Sequence, residues 1–318
     1  MSATVDVRPL IDLQVAELLD TSPIDIGVLL GGLTLDNIDD VRAAMAERPV
    51  EPLSDDVIRT DHVIDTTTGV SVRVHRPVGA KGRLPCVYWM HAGGYVLGSN
   101  VGDDLRFDTW CPELGCVGVA VEYRLAPEHP YPIPLDDCYA GLAWVHANAG
   151  EIGVDESRIG IGGASAGGGL AAGLALLARD RGDLPVRFQL LIYPMIDDRQ
   201  ITPSSTWIDP IWPPSANNFG WTAYVGSVKG GPDVPAYAAA ARATDLSGLP
   251  PTLISVGAID GFCDEDVEYA TRLRHAGIPV ELHVYPGAPH GFDGFGVGSE
   301  IARRANRDTQ EWLGKQLR

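Results

Sequence analysis

The chain has 318 residues, 45% hydrophobic and 21% charged, enough apolar material for one large soluble domain or one domain carrying an insert. Its 24 basic and 42 acidic residues leave a net charge of −18, which argues against nucleic acid and anionic membrane surfaces as partners. Five cysteines (Cys86, Cys111, Cys116, Cys138 and Cys263) with no C-x-x-C pair argue against a disulfide framework and a zinc site.

The opening MSATVDVRPLIDLQ lacks a basic region followed by an apolar core, so no signal peptide is expected. The longest nearly apolar run, Gly167 to Ala178, is too short to span a bilayer. The expectation is a reduced, cytoplasmic protein. The first fifty residues read as helices: Leu10, Val15, Leu18 and Leu19 recur at helical spacing, as do Ile38, Val41 and Met45 after a possible N-cap at Thr34. From residue 57 the texture changes. VIRTDHVID and VSVRVHRP alternate as strands do and flank a turn, which predicts an antiparallel pair.

Strand and helix then alternate. LPCVYWM (84–90), CVGVAVEY (116–123), RIGIG (158–162), VRFQLLIY (186–193), PTLISVG (251–257) and PVELHVYP (279–286) read as buried strands. Helices are expected at Leu135–Asn148, Gly168–Arg181, Asp264–Ala276 and Ser299–Leu317. Near-continuous apolar strands separated by helices imply an α/β protein with an eight-stranded, mostly parallel sheet covered on both faces. Residues 196–245, rich in Pro, Ser, Asn and Trp, break the rhythm and read as an insert over the carboxyl ends of the strands, where ligands bind in open α/β sheets.

Gly163-Ala164-Ser165-Ala166-Gly167 fits G-x-S-x-G, between the strand RIGIG and a helix. That is the setting of a nucleophile on a strained turn, with a helix N-terminus behind it. A dinucleotide loop fails because its third glycine would fall on Ser165, and a P-loop fails for want of G-K-[ST]. A serine needs a base, and the base an orienting acid. In the order Ser, acid, His, the chain offers Asp260 just past PTLISVG and His290 just past PVELHVYP. His275 and His283 also follow Asp260, but one falls at a helix end and the other inside a strand. The fourth requirement, donors for a developing oxyanion, points to the loop His91-Ala92-Gly93-Gly94 after LPCVYWM: the backbone N–H groups of Gly93 and Gly94, with that of Ala166.

With these residues in place the chain resembles the hormone-sensitive-lipase-like (bacterial family IV) esterases of the α/β-hydrolase superfamily. The likeness runs through HAGGYVLGS, EYRLAPEHPYPIPLDDC (122–138), GASAGGGLA and the block from Asp260 to Phe292. It implies an α/β-hydrolase fold with a helical cap, divided as residues 1–50 (first part of the cap), 51–195 (core), 196–240 (cap insert) and 241–318 (core). It implies Ser165 as nucleophile, Asp260 as the orienting acid, His290 as the base, and Gly93, Gly94 and Ala166 as the oxyanion hole, with neither metal nor organic cofactor. The Arg and Glu of Arg124 to Pro130 are expected to fix the loop beside the site. Three positions depart from the family pattern. Ala92 replaces the first loop glycine, Ala164 replaces an Asp or Thr, and Gly261-Phe262 replaces Pro-Leu after the acid. Asp264 is the reserve acid, with helix N-capping as its structural alternative.

The expected reaction is hydrolysis of short- to medium-chain carboxylic esters through an acyl-enzyme. Lactones, amides and aryl acetates share the chemistry. A non-catalytic ligand-binding receptor is the reading from another class, and the presence of His290 argues against it. Trp207, Trp212, Phe219, Trp221 and Tyr224 are candidates for an apolar pocket, with cap packing as the alternative for each. A monomer or homodimer is expected, the strand 279–286 being a possible sheet edge.

Overall fold

The structure, a computed structural model, describes residues 5–47 and 52–318. The boundary expected between residues 50 and 51 lies outside them. Eight strands lie among the described residues: β1 (Val57–Val63), β2 (Ser71–Pro77), β3 (Leu84–Met90), β4 (Val117–Glu122), β5 (Val154–Ala164), β6 (Gln189–Ile192), β7 (Thr252–Gly257) and β8 (Val280–Tyr285). They form one sheet in the order β1-β2-β4-β3-β5-β6-β7-β8. The pairs β1–β2 and β2–β4 are antiparallel, and every pair from β4 to β8 is parallel. This is the α/β-hydrolase fold, and β8 is a sheet edge as expected.

The burial pattern explains why these segments are strands. β3, β6 and β7 are almost wholly buried because helices cover both sheet faces, whereas β1 at the other edge is mostly exposed beyond Val57. The helices are α1 (Leu13–Asp20), α2 (Ile26–Gly31), α3 (Ile38–Ala46), α4 (Asp104–Leu114), α5 (Ile133–Ile152), α6 (Ala166–Arg181), α7 (Pro214–Val225), α8 (Cys263–His275), α9 (Phe292–Phe295) and α10 (Glu300–Gln316). Two buried clusters fill the faces. One gathers Tyr88, Leu142, Leu170, Leu174 and Leu191 under α5 and α6. The other gathers Trp89, Phe107, Trp110, Phe188 and Trp312 under α4 and α10.

The early helices exist, with two corrections. Leu10 lies in a short 3-10 turn (Arg8–Leu10) and is exposed, while Val15 and Ile38 face inward. Thr34 does not cap α3. The cap position is Asn37, whose side chain instead accepts the Thr34 N–H at 2.8 Å and donates to the Gly32 carbonyl. A polar side chain that closes its own turn is no longer available to the helix.

The N-terminal helices rest on the insert. Asp6 and Ile208 form a parallel bridge, and a Cβ on Gly27 would sit under 3.0 Å from the Pro210 backbone. Arg42 of α3 pairs with Glu128 through both carboxylate oxygens at 2.7 and 2.9 Å and donates to the carbonyls of Val96 and Ala126. Arg124 is held in the same way by Asp137. The 124–130 segment is thus pinned at both ends.

Candidate active site

Ser165 sits between β5 and α6 with φ 57° and ψ −122°. A β-carbon pays for such a conformation, so it persists only where the surroundings enforce it. The glycines two positions away on either side show how. A Cβ on Gly163 would lie under 3.0 Å from the Gly167 carbonyl, and a Cβ on Gly167 would strike the Met90 and His91 carbonyls. Strand, turn and helix approach so closely that backbone meets backbone, and nothing there can give way. Ser165 becomes the residue just before α6, whose first N–H groups, beginning with that of Ala166, lack intrahelical acceptors.

His290 arrives on the loop after β8. Its Nε2 lies 2.9 Å from Ser165 Oγ, and its Nδ1 lies 2.8 Å from Asp260 Oδ2. The other oxygen of Asp260 accepts the Phe262 N–H at 2.9 Å, which fixes the carboxylate plane. The loops after β7 and β8 come close enough for this because residue 257 is glycine. A Cβ there would overlap the Ala288 and Pro289 backbone. Residues expected from three distant parts of the chain therefore share one hydrogen-bonded line. Ser165, Asp260 and His290 are each 5% exposed or less.

The loop after β3 carries positive φ at Gly93 (130°) and Gly94 (61°), and Ala92 has no positive φ. The departure at Ala92 thus falls where a side chain is tolerated. A Cβ on Gly93 would strike the Leu97 carbonyl, and one on Gly94 would strike the outer ring edge of Trp212. His91 is buried, stacks on Tyr123 at 4.1 Å, and burial lowers its pKa to about 4, so it stays neutral.

Aromatic rings enclose His290. Tyr193 and Phe262 meet it edge-on at 4.8 and 4.9 Å, and Trp212 lies 6.4 Å away. Of the five insert aromatics, Trp212 is the one brought against both the β3 loop and the histidine. Trp221 and Tyr224 are 0% exposed and pack on Tyr95, so packing is their observed role. Phe219 is half-buried against the same cluster, and Trp207 is half-buried. Tyr193 was not singled out from sequence, although its position one residue past β6 matches the strand-end placement of the other site residues. Asp264 is neither the acid nor an N-cap: α8 starts at Cys263, and Asp264 instead exchanges hydrogen bonds with Ser204 of the insert.

A second carboxylate, Asp209, was also missed. It is 1% exposed, and it accepts the His290 backbone N–H at 2.8 Å. Burial, reinforced by repulsion from Asp260, pushes its pKa up to about 6. Burial alone would lower the pKa of His290. Asp260, by charge and hydrogen bond, and then Asp209 and Asp293 outweigh it, so the pKa lies above the ordinary imidazole value.

A nucleophile-elbow serine on such a sheet, with acid and histidine following in chain order at strand ends, defines an α/β-hydrolase. Comparison with known proteins agrees. A family model described as "alpha/beta hydrolase fold" matches residues 87–294. The carboxylesterase NlhH of Mycobacterium tuberculosis is 35% identical over 96% of both chains. The esterase LipI of the same organism is 33% identical over 96% of this chain and 95% of its own. A solved structure called "Bacterial Heroin Esterase" superposes with a TM-score of 0.87 at 38% identity, covering 98% of this chain and 99% of the other. The chain belongs to the hormone-sensitive-lipase-like carboxylic ester hydrolases of the α/β-hydrolase superfamily.

Proposed function

We propose that the chain is a serine carboxylesterase acting on short- to medium-chain esters through an acyl-enzyme. The continuous line Asp260–His290–Ser165, ending on an elbow serine, is the observation that carries it. His290 takes the Ser165 proton at Nε2 while Oγ attacks the ester carbonyl. The N–H groups of Gly93, Gly94 and Ala166 receive the oxyanion. As the tetrahedral species collapses, the C–O bond to the alcohol breaks and His290 returns the proton to the leaving oxygen. Water, deprotonated by the same histidine, then attacks the acyl-Ser165 carbonyl; the acyl–Oγ bond breaks, the proton passes from Nε2 back to Ser165 Oγ and the carboxylic acid leaves, and Asp260 stabilises the imidazolium in each half-reaction. Each oxyanion donor contributes roughly 3 kcal/mol to the transition state.

Residues 1–50 and 196–240 act as the cap, and 51–195 with 241–318 as the catalytic core. Contacts such as Asp6–Ile208 support this division. Trp212, against Gly94 and His290, is the principal pocket wall, and its apolar surface suits short acyl groups rather than extended chains. The likeness to the heroin esterase favours aryl esters within the substrate range. Among the described residues no helix is long and apolar enough to cross a membrane. The five cysteines are free and buried, which supports a reducing, cytoplasmic setting, and we propose a monomer or homodimer.

The test is initial rates on p-nitrophenyl esters from acetate to laurate, together with intact mass during turnover. Wild type should be fastest at short or medium chains and show a transient acyl adduct, and Ser165→Ala should show neither. A folded wild type without turnover on any ester would refute the reading.

A further inference from the structure

Asp209 makes more bonds than a turn requires. Oδ1 accepts the N–H groups of Ile211 at 2.7 Å and Trp212 at 2.9 Å, which closes the local turn of the insert. Oδ2 is left over for that purpose, and it reaches across 81 positions of sequence to the backbone N–H of His290. The three donors are neutral backbone groups, so no cation cancels the carboxylate's charge. One buried acid thus joins Trp212, the wall against Gly94, to the residue that carries the base.

We propose that Asp209 is a second carboxylate of the site, a positioning residue that holds His290 by its main chain and stabilises its imidazolium together with Asp260. This role rests on His290 being the base of the proposed esterase.

Three carboxylates act on His290, with Tyr193 edge-on to the ring at 4.8 Å and Arg106 behind one of the three. Asp260 reaches Nδ1 from the loop after β7, and Asp209 approaches from the insert. Asp293 follows three residues on, bound to Tyr193 Oη at 2.5 Å and 3.5 Å from Arg106. Arg106 comes from α4 and also pairs with Asp103 at 3.3 Å. The Asp293 charge is therefore shared with a cation, and that of Asp209 is not. In the resting enzyme Asp209 and Asp260 repel each other while the ring beside them is neutral. When His290 takes the serine proton, both attract it. The interaction is unfavourable before the chemical step and favourable during it, which is the condition for lowering a barrier. Above pH 6 Asp209 is mainly ionised, so its charge is present where esters are hydrolysed.

The experiment compares the full chain with Asp209→Asn and Asp209→Glu. His290 is titrated by NMR on 13C-labelled histidine, its signal assigned from His290→Gln. kcat/KM on p-nitrophenyl acetate is followed from pH 5 to 9, where the acid limb reports the free-enzyme histidine. Asn removes the charge, so the His290 titration and the acid limb should both move down by about one pH unit. The plateau rate should fall about tenfold, because the imidazolium has lost support. Glu keeps the charge while disturbing the fit, so its plateau should drop with the limb in place. An Asn variant that titrates like wild type, or Asn and Glu variants that shift alike, would overturn the proposal. If Asn does not fold, Asp209→Ser removes the same charge with a smaller side chain and faces the same criterion. A wild type without ester turnover would overturn the esterase reading and this role with it. A failure of the charge effect alone would leave turnover intact.

Discussion

Gly94→Ala is the most discriminating single change in the β3 loop, because two independent penalties meet there. Gly94 has φ 61°, which costs an alanine about 1 kcal/mol relative to glycine. The new Cβ would also sit under 3.0 Å from Cη2 and Cζ2 of Trp212, so ring or loop must move by roughly 1 Å. If the loop moves, the Gly94 N–H leaves the oxyanion, and a lost donor is worth roughly 3 kcal/mol. kcat on p-nitrophenyl acetate should therefore fall about 10² to 10³-fold, with KM changed far less. The atoms in the way belong to the outer edge of the indole, which phenylalanine lacks. Trp212→Phe in the Gly94→Ala background should recover about tenfold of the lost kcat, by restoring the donor rather than the backbone preference. Thermal melts of all variants separate folding from catalysis. The reasoning is refuted if Gly94→Ala stays within threefold of wild type, or if the double variant is no faster than the single one.

Two further outcomes are expected. Asp260→Asn keeps the side-chain shape but loses the charge on His290 Nδ1, so kcat should fall about 10⁴-fold with a near-native melt; single-turnover acylation at pH 8 measures this, and a loss below tenfold would remove Asp260 from its role. Asp266 of α8 is 0% exposed, neither of its oxygens has a hydrogen-bond partner, and burial followed by repulsion from Glu265 and Asp260 raises its pKa well above the ordinary carboxylate value. Its folded-state pKa is raised, so the native state is favoured below the unfolded carboxylate range near pH 4 and loses that advantage as pH rises toward the folded value. Asp266→Asn cannot ionise and should stabilise the protein by about 1–3 kcal/mol at pH 8 and by less at pH 5. Equal shifts in melting temperature at the two pH values would contradict this.

The central strands were legible because each is a short apolar run bounded by turn residues and buried on both faces, whereas β8, expected to be buried, is a half-exposed edge strand. Their ends were less so. β5 begins at Val154, four residues before the apolar signal at RIGIG, and β6 starts at Gln189 rather than at residue 186. The grouping of Ser165, Asp260 and His290 could be read because each lies beside a glycine or a strand end, and both are visible locally. Asp209 had no such mark. Its meaning comes from a contact 81 positions away that no periodicity encodes. The insert aromatics show the same limit: composition put five in one segment, and only packing separates Trp212 at the site from Trp221 and Tyr224 against Tyr95.

The glycines and the buried acids solve different halves of one problem. Gly163, Gly167 and Gly257 let main chains at the ends of β3, β5, β7 and β8 approach within van der Waals contact, so Ser165, Asp260 and His290 are placed by closely packed backbone. That closeness also desolvates His290, which by itself would depress its pKa and disfavour the imidazolium on which both proposed half-reactions depend. A dry site therefore needs compensating negative charge, and Asp260, Asp209 and Asp293 supply it from separate elements. Asp209 and Asp260 repel beside a neutral ring, and in the proposed reaction the proton that Ser165 gives up relieves that repulsion. The same surplus makes the site sensitive to acid. As the pH falls through about 6, Asp209 takes a proton of its own, and part of the support for the imidazolium is lost over the range in which His290 also ceases to act as a base.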